Sequence, residues 1–220
     1  MKHKSFAWLI LLAMVALPFA YAWYLYPYLP DTIPTHFGAN GQPDQYGSRE
    51  SIFIVPAILA VVSLIVYLLL TNIHRIDPKR YQQPTDNALY LQFALFVVLF
   101  MSLLSLVIIY SMSHPGTGFE KLILPLLGGF FAGMGMFMPG FQPNYFVGLR
   151  LPWTLDNENN WKATHRLAGK VWTVGGIVIA LAGIITRGTL SVALFFGGLL
   201  TMILIPVVYS YQLFRKGNPE

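Results

Sequence analysis

The chain is a series of long apolar runs separated by short polar stretches. Six runs are long enough to cross a bilayer, for which an α-helix needs about 20 residues. They lie at about Phe6 to Tyr26, Ile52 to Leu70, Leu89 to Met112, Leu122 to Met138, Ala168 to Ile185 and Leu190 to Leu213. Pro206 predicts a kink in the last of them. Two polar interruptions stand out. Pro27 to Ser51, between the first two runs, is rich in Pro and Gly, and Pro139 to Leu167, before the fifth, carries Trp, His and Arg. Within the second, Thr154 to Asn160 is rich in cap and turn residues, so a helix is predicted to start near Asn160 and to run unbroken into the fifth apolar run. On that helix Lys162, Arg166 and Lys170 recur every fourth residue along one stripe, and Trp161, His165, Ala168 and Trp172 fall on a neighbouring stripe. The pattern is a loop, then an interfacial turn of helix, then a span.

Composition fixes the class. The chain is 55% hydrophobic and 10% charged, against about 25% charged for a soluble domain. The expected fold is an all-α integral membrane protein with six transmembrane helices and no large soluble domain. The absence of cysteine excludes a disulfide framework and thiolate metal sites. The net charge of +5 is read as a topology signal, so no nucleic acid partner is expected. With the amino terminus inside, eleven basic residues are cytoplasmic (Lys2, Lys4, Arg75, Lys79, Arg80, Arg150, Lys162, Arg166, Lys170, Arg215 and Lys216) and three are outside (Arg49, Lys121 and Arg187). The positive-inside rule then predicts both termini in the cytoplasm. Residues 1–70 form a two-span unit with an external Pro/Gly-rich loop, and residues 71–220 a four-span unit with a cytoplasmic motif loop at 139–167. Ala20-Tyr21-Ala22 has the form of a signal-peptide cleavage site. Because the apolar run continues past it, an uncleaved anchor is expected, with Tyr21, Trp23, Tyr24, Tyr26 and Tyr28 as an outer aromatic belt.

The spans as drawn hold no Asp, Glu, Arg or His, and their only Lys is Lys170 at an interface. Proton relays and ion-coupled pathways are marked by such groups, so ion-coupled transport and intramembrane hydrolysis are disfavoured. No nucleophile or phosphate-binding motif is present, and no cofactor is expected. In the outer loop, Asp31, His36, Asp44 and Glu50 match no known metal-ligand spacing. That loop reads either as a compact set of turns at Asn40-Gly41 and Pro43-Asp44, with His36 bonded to a carbonyl or carboxylate, or as a partner-facing surface. The basic stripe reads either as contacts to anionic lipid heads or as a docking surface, with Trp153 and Trp161 as aromatic anchors and Arg150 and Arg166 as charged ones. His165 reads first as a packing or hydrogen-bonding residue. In the fourth span, Gly129 and Gly133 form a G-x-x-x-G pair beside Met134, Met136 and Met138. This allows close helix packing within the chain, a homodimer face, or a Met-lined groove.

Two motif sets carry a family resemblance. Asn144, Gly148-Leu149-Arg150-Leu151-Pro152-Trp153-Thr154, Trp161-Lys162-Ala163-Thr164-His165-Arg166 and Gly169 resemble the SdpI family of bacterial membrane proteins, with no departure at those positions. Upstream, Pro34, His36, Gly41, Asp44, Gly47 and Ser48 resemble the small domain of unknown function that commonly precedes SdpI modules. The resemblance implies a non-enzymatic immunity protein of the bacterial inner membrane, giving resistance to a secreted antimicrobial peptide toxin. It also implies a second role, in which a cytosolic transcriptional repressor is held at the membrane. Pro34, His36, Gly41, Asp44 and Gly47 would then face the toxin. Asn144, Gly148, Arg150, Pro152, Trp153, Thr154, Trp161, Thr164, His165 and Arg166 would face the cytosolic partner. The alternatives are passive or partner-driven transport of an apolar or amphipathic molecule, along a path lined by the Met- and Gly-rich span, and an interfacial enzyme with His165 or His36 as base.

Overall fold

A computed structural model describes residues 2–38, 41–78 and 87–217. Six helices are long and apolar enough to cross a membrane, over Phe6–Tyr28, Arg49–Thr71, Ala88–Ser113, Lys121–Gly140, Glu158–Ile185 and Thr189–Gly217. The multi-pass helical fold follows the apolar runs closely. Lys79 and Arg80, two of the residues in the charge argument, lie outside the described residues, as does Asn40.

The elements are α1 (Lys2–Leu25), β1 (Thr32–Phe37), β2 (Pro43–Ser48), α2 (Ile54–Thr71), α3 (Ile73–Ile76), α4 (Asn87–Ser113), α5 (Glu120–Phe137), α6 (Pro152–Asp156), α7 (Glu158–Ile185) and α8 (Thr189–Gly217). Short 3-10 turns at Tyr26–Tyr28, Arg49–Phe53 and Met138–Gly140 complete the ends of three of these helices. Helix α4 packs against α1 and α2 and also against α5, while α7 packs against α5 and α8. Stacked phenylalanines join the two groups: Phe96 and Phe100 of α4 lie 5.5 and 4.0 Å from Phe130 of α5.

The α5–α7 seam is built from small residues spaced seven apart, two helical turns, so that they share a face. Gly128 of α5 lies against the backbone of Gly176 and Ala180, and Gly135 against that of Gly169 and Thr173. A methyl at any of these four glycines would strike the backbone of the opposite helix. Lipid supplies no hydrophobic drive between helices, so such close backbone approach is what holds this pair. The expected pair Gly129 and Gly133 does not form a joint face. Gly129 meets open space, whereas the ring of Phe96 covers Gly133. Gly133 is thus occupied within the chain, and only Gly129 of the pair is left open to a second copy. Among the described residues the three methionines do not line a common groove along α5: Met138 is buried, Met134 packs into the core, and Met136 points outward, 75% exposed.

The outer loop holds regular structure that the sequence reading did not anticipate. Pro43 and Asp44, expected in a turn, open β2, and β1 and β2 pair antiparallel from Thr32↔Ser48 to Phe37↔Pro43. The register is irregular on either side of His36. The turn itself is made by Gly38 and Gly41, with Gly41 at φ 72°. Ile33 of β1 anchors the hairpin in a buried cluster with Ala22, Leu29, Ile52, Ile109 and Met112. Phe37 stacks on Phe119 in the α4–α5 turn, at 5.0 Å between ring centres. The hairpin therefore caps one end of the bundle, and the motif loop sits at the other.

Candidate functional site

The motif loop folds back over the start of α7, and its polar side chains serve the loop's own backbone. Asn144 is buried and uses its whole amide. Its Nδ2 donates to the carbonyls of Gln142 (2.7 Å) and Val147 (3.1 Å), and its Oδ1 accepts from the N–H groups of Phe146 (2.8 Å) and Val147 (2.7 Å). This side chain thus acts as the template for a turn of backbone that has no ladder of its own. The turn delivers the chain to Gly148 at φ 105°, where any Cβ would fall on Nε2 of His165. Both conditions require glycine.

His165 is 1% exposed and both its nitrogens are committed. Nε2 lies 3.0 Å from the N–H of Leu149, and Nδ1 lies 2.9 Å from the carbonyl of Trp161. A backbone N–H only donates and a carbonyl only accepts, so the ring is the neutral Nδ1–H tautomer. No nitrogen remains to serve as a general base, which removes His165 from that alternative. Trp161 stacks on the imidazole with ring centres 3.9 Å apart, and its indole N–H donates to the carbonyl of Phe141 (2.7 Å). Thr154, fully buried, accepts from the N–H of Leu151 (3.0 Å), and its hydroxyl lies 2.7 Å from the carbonyl of Leu149. Pro152 opens the short helix α6 at its first position, where no N–H is needed.

The start of α7 falls close to where the cap-rich stretch placed it. Asn157 is the N-cap, accepting from the N–H of Asn160 at 3.0 Å. Asn160 then ties α7 to α8: its Nδ2 donates to the carbonyl of Ser210 (2.9 Å), and its Oδ1 accepts from Thr164 (2.9 Å). Ser210 Oγ in turn accepts from the indole N–H of Trp153 at 3.0 Å.

The anchors expected on a docking surface divide accordingly. Trp161 is fully buried and offers no surface, which corrects its assignment as an anchor. Trp153 is half-buried between Ser210, Tyr211 and Phe214. Asn144, Thr154, Thr164 and His165 are buried too, whereas Arg150, Pro152 and Arg166 remain exposed. Arg150 donates to the carbonyl of Tyr145 (2.6 Å), closing the loop's outer edge. Along the basic stripe Lys162 pairs with Glu158.

The hairpin has the opposite character. His36 and Asp44 face each other across it, Nδ1 to Oδ1 2.5 Å, with side chains 60% and 51% exposed. His36 thus takes a carboxylate partner, one of the two expected. Pro34 is buried, and a Cβ on Gly47 would press on Thr35 and Ser51, so these two shape the hairpin. Tyr46, on the same strand as Asp44, is exposed, and so are Trp23, Tyr24 and Tyr28 on the segment that leads from α1 to the hairpin. Among the described residues no group of three His, Asp or Glu side chains converges as a metal site.

Three participants were not legible as site residues: Asp77, Asn160 and Ser210. Asp77, buried between α3 and α4, accepts from the N–H of Tyr145 (3.3 Å) and so ties the first half of the chain to the motif loop. Its signal was an acid set among the basic residues Arg75, Lys79 and Arg80, and that of Ser210 a polar residue within an apolar run.

Comparison with known proteins finds matches over both the motif loop and the hairpin. The SdpI/YfhL protein family matches residues 141–210, a stretch that opens at the Phe141 carbonyl bonded by Trp161 and closes at Ser210. A domain of unknown function, DUF1648, matches residues 13–60, which include the hairpin. The chain is 28% identical over 217 residues to Immunity protein SdpI of Bacillus subtilis (strain 168), covering 96% of this chain and 97% of that protein. It is also 42% identical over 72 residues to an uncharacterized protein of Archaeoglobus fulgidus, covering 33% of this chain and 39% of that one. No solved structure matches the chain.

Proposed function

We propose that this chain, a member of the SdpI family, is a non-enzymatic immunity protein that protects a bacterial cell against a secreted antimicrobial peptide toxin. Similarity along nearly the whole length to an immunity protein carries the reading. In it, residues 1–70 and 71–220 act as two units of one inner-membrane protein with both termini in the cytoplasm. The hairpin faces outward, and its exposed pair His36 and Asp44, with the exposed Tyr46 on the same hairpin, meets the toxin. An amphipathic peptide suits such a surface, because aromatic side chains with one polar end bind at the boundary of water and lipid. The cytoplasmic partner surface for a repressor reduces to the groups the motif loop leaves exposed, chiefly Tyr145, Arg150 and Arg166.

The test is survival. A toxin-sensitive host expressing this protein should survive a toxin dose that kills the empty host, and equal killing at normal membrane abundance overturns the reading. Orientation is tested by single cysteines, for which the cysteine-free chain has no background. Cysteine at Gln42 should react with an impermeant thiol reagent in intact cells and cysteine at Asn157 should not. The reverse labelling would invert the arrangement.

A further inference from the structure

The stripe of α7 that carries Lys162, Arg166 and Lys170 continues at the same spacing as Val174, Val178 and Ala182. The first half of this face is basic and exposed, and the second half is apolar. Against the apolar half lies a groove of about 560 Å³ between α7 and α8, floored by Gly175, Gly198 and Met202. Its walls are Val174 and Val178 on one side and Leu194 and Ile205 on the other, all between 43% and 62% exposed. Lys170 closes one end. The volume falls in the roughly 300–1,000 Å³ range of ligand sites. Along α7 the groove runs from Lys170 to Ala182, about 18 Å at 1.5 Å per residue. One leaflet of hydrocarbon, half of roughly 30 Å, is about the same length.

We propose that this groove is a binding site for one anionic phospholipid, with an acyl chain laid between α7 and α8 and the phosphate held by Lys170 and Arg166. Three observations select this occupant. The groove is a leaflet long, with charge at one end only. Lys162 is paired with Glu158, whereas Arg166 and Lys170 have no acidic partner among the described residues, so the mouth is positive. An extended peptide would bring backbone N–H and C=O groups that must be satisfied within the membrane. The lining offers only Thr201, whose hydroxyl already donates to the carbonyl of Gly197, and Lys170. A hydrocarbon chain makes no such demand.

Full-length protein is incubated with an equimolar mixture of phosphatidylglycerol and phosphatidylcholine of matched chains, and the lipid retained per chain is read by native mass spectrometry. Wild type should keep one phosphatidylglycerol in preference to phosphatidylcholine. Lys170→Gln should lower phosphatidylglycerol retention on the order of fivefold, the worth of one basic group near a membrane surface, and leave phosphatidylcholine unchanged. Val178→Trp fills the groove from an exposed position and should lower retention of both lipids. Ala182→Leu serves if that variant expresses poorly. Equal retention of the two lipids by wild type, or unchanged retention in the variants, overturns the proposal. A wild-type dimer that becomes monomeric in Val178→Trp also overturns it, by assigning the groove to a second copy of the chain.

Discussion

The two polar loops of this protein are built from similar residues and put them to opposite use. In the motif loop, His165 is buried and bonded at both nitrogens to backbone. In the hairpin, His36 is more than half exposed and bonded to one carboxylate. The difference lies in who supplies the backbone's partners. The hairpin satisfies its own N–H and C=O groups through β1–β2 pairing, so its side chains are left for the surface. The motif loop has no such ladder over residues 141–151. Buried backbone groups must be paired, and Asn144, Thr154, Trp161 and His165 are spent on pairing them. A dense polar motif beside a membrane can therefore be a bracket, whereas a sparse one on a hairpin is free to meet a partner.

Breaking the bracket should have the largest effect. Trp161→Ala removes a fully buried aromatic ring together with its bond to Phe141. A loss of about 3–5 kcal/mol is expected, seen as a collapse of membrane abundance and a lower unfolding temperature in detergent. Trp161→Phe keeps the stacking and leaves the Phe141 carbonyl unpaired, so it should cost only about 1–3 kcal/mol. Equal, small effects for both would mean that this loop is not held by its buried tryptophan. Gly148→Ala comes next, at about 1–3 kcal/mol for a non-glycine residue at φ 105°. The clash with His165 adds to this cost. Purified variant yield and melting temperature report it.

How much of this was legible in the sequence depends on whether the information was local. The spans were, because an apolar run of sufficient length specifies a crossing by itself. So was the start of α7, where Asn157 caps within the stretch of cap residues. The motif residues do meet in space, but the direction they face was not readable. Trp161 and His165 beside a membrane look the same whether they line an interface or hold a loop. What decides is the return of the backbone through the Asn144 turn and Gly148, a non-local event. The hairpin was hidden for a related reason. Its strands contain Pro34, Pro43, Asp44 and Gly47, residues that disfavour strands on their own, and they form because Ile33 has a buried cluster to join. Likewise the i, i+4 spacing of Gly129 and Gly133 did not reveal that the seam with α7 uses Gly128 and Gly135 instead.

A smaller effect is expected where the loop meets α8. Ser210→Ala deletes the acceptor of the Trp153 indole but keeps the Ser210 carbonyl that Asn160 uses. About 1 kcal/mol is expected, in line with single polar contacts between membrane helices. Asn160→Ala loses the carbonyl contact and the bond from Thr164 together, so it should cost more. Melting curves that rank the two variants the other way would show that Trp153, not Asn160, fastens α8.

The smallest stability effect should come from the hairpin, and there function and stability ought to separate. The His36–Asp44 pair is exposed, and exposed ion pairs contribute at most about 1 kcal/mol. His36→Ala and Asp44→Ala should therefore leave membrane abundance and melting temperature close to wild type. If the hairpin is the surface that meets the toxin, both variants should nonetheless lower survival of an expressing host. The double variant should then lose no more protection than the worse single one, because the two side chains act as one unit. The contrast with the bracket is sharp: in Trp161→Ala any loss of protection should follow the loss of protein, whereas in His36→Ala it should occur at full abundance. Survival plotted against membrane level for the whole set decides the matter. If the hairpin variants fall on the same line as the bracket variants, the hairpin is also scaffold, and the surface that confers protection lies elsewhere.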